Sequence, residues 1–118
     1  MSISGPRILT APITRRELVA LAAEQFGEMI KAAVDIGREV VAVGGELHSD
    51  EEAMLLEDGS AQSDVWGVNL YPAAAGEDWV EFDSMINVRP SQGNRTRSVD
   101  NDIVQTRIRA VLARWVPE

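Results

Sequence analysis

From Ile30 the chain alternates, turns and alternates back. Ile30, Ala32, Val34 and Ile36 fall on one side of an extended segment, with Lys31, Ala33 and Asp35 on the other. Gly37-Arg38 is a Gly-X pair of the kind that closes a tight hairpin, and Val40 to Leu47 returns as a second strand. Gly44-Gly45 near its end permits unusual backbone angles or close approach of another group.

Helices flank this hairpin. Thr14 and Glu17 form a T-x-x-E capping box, followed by Leu18, Leu21, Ala22 and Phe26 on one face, and Gly27 is placed to end the helix. Ser49 and Glu52 predict a second box, opening a short helix through Leu55 and Leu56 that stops at Gly59. Val65 to Tyr71 reads as a strand ended by Pro72. Trp79 to Val88 alternates most clearly of all, with Val80, Phe82, Ser84, Ile86 and Val88 on one side. A last helix, from about Asp100 to Val116, repeats Val104, Ile108, Val111, Leu112 and Trp115. Residues 1–13, with Pro6 and Pro12 and no usable period, read as a loose leader.

The predicted order is α-β-β-α-β-β-α over a single domain, 14–118. Two hairpins give an α+β fold with a four-stranded antiparallel sheet and three helices mainly on one face. The other face would carry Lys31, Asp35, Asn69, Tyr71, Trp79, Glu81, Asp83 and Asn87. That face is too polar for a core and too aromatic for an indifferent surface. It predicts a ligand floor or a partner-covered face.

Composition narrows the function classes. The chain has 118 residues, 45% of them apolar, enough for one core. It lacks cysteine and has one histidine, His48, which removes thiolate chemistry and His-pair metal motifs. No apolar run is long enough to span a bilayer, and the first twenty residues lack a signal-peptide layout. The expectation is a soluble cytoplasmic protein with no membrane association. A net charge of -8 disfavours nonspecific DNA binding, which depends on neutralising phosphates. The charge is divided, however. Residues 1–88 hold 16 acids and 5 bases, whereas 89–118 hold 3 acids and 6 bases.

Three constellations could carry chemistry. In the first, Glu46 and His48 share a side of an extended segment, suiting general acid–base work or a mixed metal ligand set; the plain reading is a helix start with an ordinary loop histidine. In the second, Glu81, Asp83 and Asn87 form a row whose oxygens suit a divalent cation or the arginines that follow; a solvated row is the plain alternative. The third is the loop Arg89 to Ser98, where Arg89, Ser91, Gln92, Asn94, Arg95 and Arg97 form a chemically sensible anion cradle. Alternatively its arginines neutralise the domain's own acids. The loop is not a P-loop, because the glycine spacing and lysine are missing.

The run Glu81-Phe82-Asp83-Ser84-Met85-Ile86-Asn87 through Arg89-Pro90-Ser91-Gln92-Gly93-Asn94-Arg95, with Gly44-Gly45-Glu46-Leu47-His48 and Trp66-Gly67-Val68-Asn69 upstream, resembles a family of small prokaryotic proteins catalogued as a domain of unknown function. The resemblance runs from about Thr14 onward. It implies relatives and no chemistry, cofactor or catalytic role.

Two function classes stay open. One is a binding site for an anionic small molecule or nucleotide, joining His48 and Glu46, the Glu81/Asp83/Asn87 row and the arginine loop. If a reaction occurs there, His48 is the acid–base group and Asp83 its orienter or a metal ligand. The other is a noncatalytic interaction or homodimerisation module, with Tyr71, Trp79 and Met85 as anchors.

Overall fold

The computed structural model describes residues 5–117. Its sheet has five antiparallel strands, not four. In chain order these are β1 (Arg7–Ile8), β2 (Ile30–Asp35), β3 (Val40–Val43), β4 (Val65–Leu70) and β5 (Val80–Glu81), arranged β1-β3-β2-β4-β5. The extra strand comes from the segment expected to be a loose leader. Arg7 and Ile8 pair with Val43 and Ala42, and Leu9 N–H continues the pairing to Val41 O at 2.9 Å. Leu9 and Ile13 are buried in the core. Two residues are too short to show a period, so pairing and burial anchor a segment that periodicity cannot detect. Residues 1–4 lie outside the described part.

The helices are α1 (Arg15–Glu24), α2 (His48–Glu57) and α3 (Asp102–Trp115). Thr14 and Glu17 close the capping box on α1. Asn101 caps α3 by accepting from Ile103 and Val104 N–H. Leu18 and Ala22 of α1 join Ile108, Val111 and Leu112 of α3 against Ala32, Val34, Trp66, Val68 and Leu70. Helix α2 does not join them. Its Leu55 packs with Ala33, Ala42 and Val65 on the opposite face, so the sheet is covered from both sides. Few apolar positions mark the inner face of α2, because two of its three buried residues are His48 and Glu51.

Three local expectations also change. The β2–β3 turn has four residues, Ile36 to Glu39; Asp35 Oδ1 accepts from Gly37 and Arg38 N–H at 2.8 and 2.9 Å, and Glu39 takes φ 59°. Helix α2 starts at His48, and its N-cap Leu47 makes no side-chain cap, so the Ser49 box is not used. Finally, the Trp79–Val88 strand stops at Glu81. Trp79 is buried in the α1/α3 core instead of lying on the polar face. Beyond β5 the chain forms two short 3-10 turns, Met85–Asn87, entered at Ser84, and Pro90–Gln92. Gly67 explains this packing: a Cβ there would lie 2.6 Å from Ser84 Oγ and 3.0 Å from Ile86 Cγ1. Ser84 and Ile86 therefore sit over β4 rather than pairing beside it.

Candidate functional site

Where β5 ends, side chains complete the edge of β4. Asn87 Oδ1 accepts from Gly67 N–H at 2.8 Å, and Asn87 Nδ2 donates to Gly67 O at 3.0 Å and to Arg97 O at 3.0 Å. One carboxamide thereby does what a neighbouring peptide group does in a ladder. Arg89 continues inward, donating through Nη2 to Val65 O and through Nε to Ile86 O, with its guanidinium over the Trp66 ring. Glu52 lies 3.6 Å from Nη2, and only 7% of the Arg89 side chain is exposed. Asn94 Nδ2 donates to the carbonyls of Asn87, Thr96 and Ser98, and its Oδ1 accepts from Asp100 N–H.

The loop read as an anion cradle is thus held by its own donors. Asn87 is wholly buried and leaves the outward row with Glu81 and Asp83. Arg89 and Asn94 are spent inside. Gln92 Nε2 donates to Ser63 O, and Arg95 N–H donates to Asp100. Gln92 and Asn94 also line a cleft of about 650 Å³, which includes Asp64 and Asp100 and so disfavours an anion. Ser91 and Glu46 are exposed. Glu46 sits in a bend before α2, so the extended pairing with His48 does not form.

His48, Glu81, Asp83 and Arg97 gather instead at one end of the sheet. Lys31, Asn69 and Glu81 are in register on β2, β4 and β5, forming a row across three strands. Asn69 Nδ2 donates to Glu81 Oε1 at 2.9 Å and to Asp83 O at 3.3 Å, and Tyr71 Oη donates to the same Glu81 oxygen at 3.3 Å. Asp83 Oδ1 holds Arg97 Nε at 2.6 Å, with both side chains about half exposed. Asn69 Oδ1 is buried with no partner.

His48 lies over this row, 8% exposed, with Nε2 2.9 Å from Val68 O. A carbonyl only accepts, so Nε2 carries the proton. Burial pulls the imidazole pKa below its ordinary value, aided by the Lys31 charge and opposed by the Val68 bond, Asn69 and Asp83. The ring is then neutral near pH 7, and Nδ1 keeps its lone pair. That nitrogen can accept a hydrogen bond or act as a base.

Glu51 lies one turn into α2, where its position alone marks only a helix-start acid. It is wholly buried; Oε2 accepts Gly45 N–H at 2.9 Å, and Oε1 has no partner. Burial pushes its pKa up to about 8, against Gly45 and the Lys31 charge, which lower it. Gly45 gives the sequence signal for this contact, since a Cβ there would lie 2.9 Å from Glu51 Cγ. Among the described residues, no group of three or more His, Asp or Glu side chains is placed to hold a metal.

The sequence profile of the family described as "Protein of unknown function (DUF5674)" matches residues 7–115. The chain belongs to this family. The match runs from the first residue of β1 to the last of α3, so it includes the completed β4 edge and the polar sheet end of this DUF5674 chain. Neither the search of curated proteins nor that of solved structures found a match. Among the described residues of the DUF5674 chain, no helix is long and apolar enough to cross a membrane.

Proposed function

We propose that the DUF5674 chain binds a small molecule carrying both an anionic and a hydrogen-bond-donating group at the polar end of its sheet. The observation that carries this reading is the Lys31–Asn69–Glu81 row beneath His48, in which Asn69 Oδ1 is buried and unpartnered. With Arg89 and Asn94 spent inside the loop, Lys31 and Arg97 are the cations that receive the anionic group. The donor group faces Asn69 Oδ1, His48 Nδ1 and Glu81. In-register strands lie about 5 Å apart, so Lys31 and Glu81 stand on either side of Asn69, two strand spacings from each other. If the ligand reacts, His48 Nδ1 is its base and Asp83 holds Arg97.

Calorimetric titration with glycine, the smallest molecule bearing both charges, tests the reading. Glycine should bind saturably, more tightly than inorganic phosphate or methylammonium. Replacing Lys31 or Arg97 by Ala should weaken it several-fold without loss of fold. Binding of phosphate alone, unaffected by those substitutions, would reject the site.

A second reading has its own support. Leu47 and Met85, at 57% and 65% exposure, are large apolar side chains on the two segments that flank the row. In this reading the polar end is an interface to a protein partner or to a second copy, with Leu47 and Met85 as anchors. Light scattering tests the second copy: a dimer in the wild type that Met85→Glu converts to monomer favours it.

A further inference from the structure

The polar end adjoins an apolar cleft of about 330 Å³ between α1 and the segment following β4. Val19, Ala22, Pro72, Ala73 and Ala74 line it, together with Tyr71. Tyr71 belongs to both places. The residue lines the cleft, and its hydroxyl donates to Glu81 in the polar row. Glu28 also lines the cleft, and its charge acts on the Tyr71 hydroxyl together with those of Glu81 and Asp83. The Lys31 ammonium lies 5.3 Å from the Phe26 ring, next to Gly27 on the cleft wall. One sheet end therefore brings together an ammonium, carboxylates and an apolar recess.

We infer that the ligand is a hydrophobic α-amino acid or a close amphoteric analogue, with its apolar side chain in the cleft beside Tyr71. This rests on the binding reading above and adds the chemical class. Charge complementarity fixes the orientation. The ligand ammonium lies toward Glu81 and Glu28, its carboxylate toward Lys31 and Arg97, and its side chain runs past Tyr71 against Val19 and Ala22. Volume limits that side chain. At roughly 30 Å³ per water, the cleft holds about ten waters, which is space for one aromatic ring or a branched aliphatic chain. Burial of such a group removes apolar surface from water on both sides, including Val19, which is 42% exposed in the free protein.

Parallel titrations of the full chain with glycine and L-phenylalanine separate this inference from the reading it rests on. Phenylalanine should bind at least tenfold more tightly than glycine. Ala73→Trp, which fills the cleft from an exposed turn position, should abolish that advantage and leave glycine binding unchanged. Val19→Trp plugs the cleft from α1 and should do the same, so the result does not depend on one variant folding. Retained glycine binding also reports that each variant is folded. If glycine binds and phenylalanine binds no tighter, the side-chain assignment is wrong and the polar site stands. An advantage that survives both plugs also overturns the assignment. Silence from both amino acids in the wild type overturns the polar site and the assignment with it.

Discussion

The carboxamide of Asn87 bonds both the amide and the carbonyl of Gly67, at 2.8 and 3.0 Å, twenty residues back in the chain. A side chain here closes a strand edge that β5 leaves open. The segment from Asp83 to Ser98 is consequently part of the sheet's hydrogen bonding rather than a free loop.

Asn87→Ala should therefore be strongly destabilising. It strands a buried N–H and a buried carbonyl of Gly67, at about 1–3 kcal/mol for each unsatisfied group. A drop of about 3 kcal/mol in urea denaturation is expected. A change within about 0.5 kcal/mol would show that the edge does not need this amide.

Arg89 and Arg97 should part company. Arg89→Lys removes the forked donors to Val65 O and Ile86 O beside Glu52, a buried arrangement whose loss costs about 3 kcal/mol. Arg97→Ala removes a half-exposed pair with Asp83, which is worth no more than about 1 kcal/mol. Denaturation midpoints should fall only for Arg89→Lys, and glycine affinity only for Arg97→Ala.

Two buried groups of α2 give opposite pH dependences. The folded pKa of Glu51 is raised from 4.5 to about 8, so its contribution to stability is full below about pH 4.5 and is lost as pH rises through 8. His48 is lowered from 6.5, so its contribution is full above 6.5 and is lost as pH falls through the folded value. From pH 6.5 to 8 only Glu51 changes stability, and a loss of about 2 kcal/mol is expected. Urea midpoints across that range should fall for wild type and stay nearly level for Glu51→Gln. An equal fall in the variant would contradict the assignment to Glu51.

Part of this architecture is legible in the residues. Thr14 and Glu17 announce α1, the Ile30–Ile36 alternation announces β2, and Asn101 announces the start of α3. Each is a local signal with a local cause. What is hidden depends on contacts distant in sequence. The alternation after Trp79 is real, but its later members sit over Gly67, and nothing near Ser84 or Ile86 marks that glycine as their floor. The donors of the arginine loop are correctly counted, yet a count cannot say that Asn87, Arg89 and Asn94 face inward to backbone carbonyls. The side of the sheet taken by α2 is obscured because His48 and Glu51, its buried contacts, look like surface residues. Within the candidate site, the types His48, Glu81, Asp83 and Arg97 are visible in sequence. Strand alternation puts Lys31 and Asn69 on the same face, and strand register sets them in one row with Glu81.

The imidazole of His48, the chain's single histidine, reports directly on the polar sheet end. Its ring nitrogens and Hε1 should be followed by NMR, first against pH and then against added glycine at pH 7. The free protein should show a proton on Nε2, an unprotonated Nδ1 and a pKa below 6.5. Glycine should then shift Nδ1 saturably, and Lys31→Ala with Arg97→Ala should abolish the shift. A resonance that titrates at or above 6.5 and ignores glycine would contradict both the geometry around His48 and the binding site built on it.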